Sequence, residues 1–233
     1  MPPLLATVGI NGKVSFLEKG GTSEFTNSTG AYELDLSLVN DFDRAWREMH
    51  VKTDVFCSGA VVLPDKAARI INIGGWSLTS TFGIRLYAPD GSPGVNGTND
   101  WEEDPTNLQL QVRVAYTSPI PLMSVLNECL MQTGRWYPTA LVMSNGSIVV
   151  VGGETGANAP ANPTLEIVPR IPGGSTTVFL DWLNRTDPNN LYPFLHVLPS
   201  GRIFAGAFET TDRLPDLPFT NSEGQGTTMR HAF

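Results

Sequence analysis

Ile148-Val149-Val150-Val151-Gly152-Gly153 and Ile70-Ile71-Asn72-Ile73-Gly74-Gly75 are the stretches that decide the fold. Each is a short apolar run closed by a glycine pair. Each follows a turn, Ser144-Asn145-Gly146 in one case and Leu63-Pro64-Asp65-Lys66 in the other. Apolar runs of this length between turn residues read as buried strands of hairpins. The glycines mark points where the backbone turns with positive φ or passes close to its neighbours. Two further segments share the plan: Leu4 to Glu18 around Asn11-Gly12, and Tyr192 to Ala207 around Ser200-Gly201. A strand–turn–strand unit with a glycine doublet and a period near ~50 residues is the kelch type of β-propeller repeat. The expected fold is therefore all-β, a partial kelch propeller of about three to four blades.

The spacing is not uniform. The turns at Gly12, Lys66, Gly146 and Gly201 are separated by 54, 80 and 55 residues. The excess falls in 112–132, from Val112-Arg113-Val114 to Met131-Gln132, and removing those 21 residues leaves an interval of 59. Val-Arg-Val can be encoded by a sequence that resembles an intron donor, and Met-Gln can end in an acceptor CAG. The segment is expected to be a translated, retained intron; the alternative is a long surface loop. Residues 1–208 are expected to form the incomplete propeller. The tail 209–233 is polar and aperiodic and is expected to be aberrant or disordered.

Composition agrees with an all-β chain. Of 233 residues, only 16% are charged, whereas glycine (23) and proline (18) are plentiful. A net charge of -8 argues against a nucleic-acid partner. No apolar run reaches the ~20 residues that span a bilayer. Met1-Pro2-Pro3-Leu4-Leu5-Ala6 lacks a basic region followed by an apolar core, so no signal peptide is evident. Four Asn-x-Ser/Thr triplets, at Asn27, Asn96, Asn145 and Asn184, lean toward a secretory protein whose start lies upstream.

Cys57 and Tyr137 hold the same place in two repeats. Cys57 lies eight residues before Asp65, and Tyr137 eight before Asn145. A strand cysteine is usually a small buried hydrophobe, and a strand tyrosine is usually core with a satisfied hydroxyl. Tyr192 occupies the same place in the fourth repeat, so position alone does not make a site. Two cysteines in a secreted chain read by default as one disulfide, but the other cysteine, Cys129, lies inside 112–132, so a Cys57–Cys129 pair is not expected.

The surrounding words are more specific. Phe56-Cys57-Ser58-Gly59, Ile73-Gly74-Gly75-Trp76-Ser77, Thr81-Phe82-Gly83-Ile84-Arg85-Leu86-Tyr87, Asn99-Asp100-Trp101, Gly134-Arg135-Trp136-Tyr137-Pro138-Thr139 and Arg185-Thr186-Asp187-Pro188-Asn189-Asn190-Leu191-Tyr192-Pro193-Phe194 follow in order. Together they resemble the N-terminal propeller half of fungal glyoxal oxidases, copper radical oxidases related to galactose oxidase. The resemblance covers most of Val51 to Ala207 outside the inserted stretch, and it implies a seven-bladed parent fold.

It also implies that Cys57 forms a thioether with the ring of Tyr137. The modified Tyr137 would ligate copper and store an oxidising equivalent as a radical. Such enzymes are extracellular and oxidise small aldehydes or alcohols with O2, releasing hydrogen peroxide. The remaining ligands depart from the pattern. The family uses a later Tyr-His pair and a further histidine. This chain has only His50, His196 and His231, none in a Tyr-His pair. Tyr137 is thus the only candidate copper ligand. Aligning the glycine doublets puts Thr155 where galactose oxidase stacks a tryptophan. The expectation is a truncated, inactive copper radical oxidase; the alternative is a non-catalytic propeller module that binds protein or glycan.

Overall fold

The computed structural model describes residues 4–19, 30–76, 78–103, 131–157, 159–169, 177–187 and 191–207. Those residues form antiparallel sheets that follow one another along the chain. The first has the order β1 (Leu5–Val8), β2 (Lys13–Leu17), β3 (Gly30–Asp35), β4 (Trp46–His50). The second is β5 (Gly59–Val62), β6 (Ile70–Ile73), β7 (Ile84–Tyr87). The third runs β8 (Thr139–Val142), β9 (Ile148–Val151), β10 (Thr164–Val168), β11 (Val178–Phe179). The fourth pairs β12 (Phe194–Val197) with β13 (Ile203–Gly206). Each expected hairpin is present, and the described residues are all-β apart from short helical turns such as Phe42–Ala45 and Asp181–Asn184.

The sheets stack face to face. Side chains alternate across a strand, so β9 sends Ile148 and Val150 to one side and Val149 and Val151 to the other. Ile148 and Val150 pack against Ile71, Ile73, Ile84 and Leu86 of the second sheet. Val149 and Val151 pack with Leu195, Ile203 and Ala205 of the fourth and with Leu180, Trp182 and Leu183. Ile70 and Tyr87, on the opposite face of the second sheet, meet Leu17, Ala31 and Met49 of the first. Burial on both faces explains why β9 is apolar without alternation. At about 1.5–3 kcal/mol per buried aliphatic side chain, its four residues contribute roughly 6–12 kcal/mol before entropy is counted. β8 lies between β5 and β12. Successive sheets that share faces and set their first strands side by side make a partial β-propeller.

Two buried arginines fix the glycine doublets. Arg85 donates to the Gly74 carbonyl, the Asn72 side chain and Thr53. Arg135 donates to the Gly152 carbonyl at 2.8 Å and pairs with Glu166 at 2.7 Å. Gly74 and Gly153 have φ of +77° and +92°. A Cβ on Gly74 would lie 2.4 Å from the Arg135 carbonyl oxygen, and one on Gly153 2.5 Å from that of Trp136. The doublets thus hold the chain segment that carries Tyr137.

Most of 112–132, expected to be a retained intron, lies outside the described residues, as do Cys129 and the tail 209–233. At its end, Met131 is buried beside Ile71 and Val150, and the Gln132 N–H donates to Glu166 at 2.6 Å.

Candidate functional site

Cys57, Tyr137 and Tyr192 each sit two residues ahead of the first strand of their sheet. None lies within a strand, which corrects the expectation for Cys57 and Tyr137. All three are left-handed, with φ of +56°, +62° and +48°. Such values are uncommon for residues with a Cβ and mark a constrained turn. The backbone N–H of Tyr137 donates to the Cys57 carbonyl at 2.9 Å, and that of Tyr192 donates to the Tyr137 carbonyl at 3.0 Å. These two bonds lock the three turns in register across neighbouring sheets.

The side chains converge. The Tyr137 and Tyr192 rings meet edge to face, with centroids 5.5 Å apart and planes at 81°. Trp136 stacks on Tyr137 at 4.2 Å and 30°. Phe56 lies 6.0 Å from Trp136. The Lys19 ammonium sits 4.8 Å from the Phe56 ring centroid and 4.5 Å from that of Trp76, close enough for cation–π attraction.

Electrostatics tie the thiol to both phenols. Burial pushes the Cys57 thiol up, while hydrogen bonding with Tyr137 and then Tyr192 works in the opposite sense. The Trp136 indole N–H, buried without a geometric hydrogen-bond partner, acts more weakly on the same sulfur. Tyr137 is pushed up to about 12, first by burial and then by Cys57. Tyr192 is also raised, by burial and then by Cys57. Both phenols are therefore held protonated beside a protonated thiol. Burial and the neighbouring Asp187 raise the Glu154 carboxyl.

The sequence pairing of Cys57 with Tyr137 is thus reproduced in space. The sequence reading missed two contributors. Trp136 supplies the ring stacked on Tyr137, where the glycine alignment, which put Thr155 at the tryptophan position, left any stacking group different or absent. Tyr192, set aside as a repeat coincidence, touches Tyr137. The signal was its identical distance from the following turn.

Copper tests the site differently. Among the described residues, no three His, Cys, Asp or Glu side chains gather as a metal would need. His50 is exposed and bonds Asp100 at 2.8 Å. His196 lies against Phe204 on β12. His231 lies outside the described residues. Two phenols and a thiol without an imidazole do not make the nitrogen- and oxygen-rich tetragonal set that Cu(II) favours. The described residues alone do not fit a copper ion.

The fold and the cluster define a partial propeller with a thiol–phenol centre between its sheets. The aldehyde oxidase GLOX of Vitis pseudoreticulata is 30% identical over 158 residues, covering 68% of this chain and 24% of the relative. The chain is thus distantly homologous to glyoxal-oxidase-like copper radical oxidases. A WSC domain-containing protein of Arthroderma benhamiae is 51% identical over 238 residues, covering 97% of this chain and 23% of that protein. The chain therefore spans about a quarter of the length of the curated relatives it matches. A solved structure described as a novel fungal alcohol oxidase with catalytic diversity among the AA5 family, in complex with copper, shares 16% identity at a TM-score of 0.39, over 70% of this chain and 28% of its own. No protein-family model matches.

Proposed function

We propose that this chain carries the thiol–phenol portion of an extracellular copper radical oxidase of the glyoxal oxidase kind, with Cys57 and Tyr137 joined as a thioether. The observation that carries the reading is the meeting of the two residues: equivalent left-handed turns, a backbone bond of 2.9 Å, and thiol and phenol close enough to shift each other's ionisation. Joining them removes the thiol hydrogen and one ring hydrogen, and the two electrons pass to O2, which becomes hydrogen peroxide. Sulfur on the ring donates electron density and makes the phenol easier to oxidise. In the family, small aldehydes or alcohols are the substrates and copper is the second one-electron store. Among the described residues Tyr137 would be the copper ligand, and nitrogen donors would have to come from outside them.

The 51% relative's name speaks of a WSC domain and not of an oxidase, which favours a second reading: a propeller module that binds a protein or glycan and performs no chemistry. Intact mass separates the two. Protein produced aerobically with copper is expected to weigh two hydrogens less than its sequence, and Cys57→Ser to show no deficit. Full sequence mass with a freely alkylated Cys57 supports the module instead.

A further inference from the structure

We propose that Tyr192 is a second redox phenol of this centre, sharing an oxidising equivalent with Tyr137 and exchanging it with one-electron donors and acceptors in solution. The inference deepens the oxidase reading and rests on it for its biological use. Its geometry is independent of the thioether. Tyr192 repeats the backbone conformation of Cys57 and Tyr137, and its N–H is bonded to the Tyr137 carbonyl. Its ring meets the Tyr137 ring at 5.5 Å and 81°. At that contact, electron exchange between two phenols is not limited by distance. Unmodified, the two phenols share the same intrinsic oxidation chemistry; a thioether makes Tyr137 the easier to oxidise, so an equivalent that enters at Tyr192 settles on Tyr137.

Exposure separates their roles. Tyr192 is 43% exposed, whereas Tyr137 is covered on one side by Trp136. A phenol that loses an electron becomes strongly acidic, and its proton must leave. Burial raises the pKa of both phenols, so it is the exposed surface of Tyr192, not a freer hydroxyl, that admits the oxidant and gives the proton a route to water. The sequence of steps balances. An outer-sphere oxidant takes one electron from Tyr192, the phenolic proton passes to water, and a neutral radical remains. That radical then takes one electron and one proton from Tyr137, regenerating the Tyr192 phenol and leaving the radical on Tyr137. Reduction retraces the path with a one-electron donor.

The test mixes the full chain with hexachloroiridate(IV), which is reduced to iridium(III), and follows the reaction by stopped-flow absorbance and by electron paramagnetic resonance of freeze-quenched samples. Wild type is expected to show a fast oxidation phase and a tyrosyl signal. Tyr137→Phe should keep the fast phase, with its signal confined to Tyr192. Tyr192→Phe should lose the fast phase. Tyr192→Trp should restore it with a tryptophanyl line shape, which a merely structural role for the ring would not produce. A Tyr192→Phe protein that keeps the wild-type fast phase and line shape overturns the proposal, as does Tyr137→Phe protein that yields no radical. The readout needs no cross-link. Normal radical behaviour in a chain of full sequence mass sinks only the oxidase reading, and a cross-linked chain indifferent to Tyr192→Phe sinks only this proposal.

Discussion

At the residue scale, positive φ does more to define the site than side-chain identity. Cys57, Tyr137 and Tyr192 adopt a conformation that costs roughly 1–3 kcal/mol for a residue with a Cβ, and each is held there by a backbone bond to a neighbouring sheet. Sequence spacing revealed that these positions were equivalent. It could not reveal the left-handed turn, because neither cysteine nor tyrosine signals one. The glycines did signal theirs. Gly153→Ala should destabilise the protein by roughly 1–3 kcal/mol in urea unfolding, because a left-handed backbone now carries a Cβ pressed against the Trp136 carbonyl. A second residue-scale effect involves Asp35. Burial raises its pKa, but hydrogen bonds from the Ser37 hydroxyl and the Gly94 and Ser37 N–H groups, with the Lys13 charge, bring it below 3.8. A depressed carboxylate contributes stability above its unfolded pKa and loses it as pH falls through the folded value. Wild type should therefore lose stability in acid below pH 3.8, and Asp35→Asn should be weaker at neutral pH with a flatter acid limb. Thermal melts across that range measure both.

At the element scale, the hairpins were legible because their apolar runs and turns are local signals. Ile148–Val151 reads as a doubly buried strand, and the structure buries it on both faces. The strands Gly30–Asp35, Trp46–His50 and Thr164–Val168 were not identified. They carry charged residues such as Glu33 and Glu166, which look like surface positions in sequence. Those charges are in fact buried and answered from other elements: Glu33 by Lys13, Arg47 and Tyr87, and Glu166 by Arg135. Long-range pairing of this kind leaves no periodic trace. Arg135→Leu tests how much the pairing matters. It strands the Glu166 carboxylate and frees the Gly152 carbonyl, so a loss of about 3–5 kcal/mol is expected in denaturant unfolding. Restoring most of it with Glu166→Gln in the Arg135→Leu background would identify the buried charge as the cause.

At the scale of the whole molecule, the order of matching words already pointed to a propeller, and the stacking of sheets through three shared cores bears out that class. The centre was only half legible: the thiol–phenol pair showed in the sequence, but its aromatic surroundings did not. Trp136 stacks on Tyr137 from the adjacent position, whereas Tyr192 and Cys57 reach it only because turns from different sheets are brought into register. The described surface also has a weak point. The β12–β13 sheet leaves Phe194 68% and Val197 42% exposed, and a sheet with an open face and edge invites association. Sedimentation of the isolated chain should show concentration-dependent self-association, and Phe194→Lys should reduce it. Cys57 and Tyr137, distant in sequence, are proposed to form one covalent centre. Cys57, Tyr137 and Tyr192 fall in separate tryptic peptides, Thr53–Lys66, Trp136–Arg170 and Thr186–Arg202. Tandem mass spectrometry of copper-exposed, alkylated protein should find Thr53–Lys66 joined to Trp136–Arg170 through Cys57 and Tyr137, two hydrogens short of their sum. Recovery of both peptides unjoined, with Cys57 carrying the alkyl label, would contradict it.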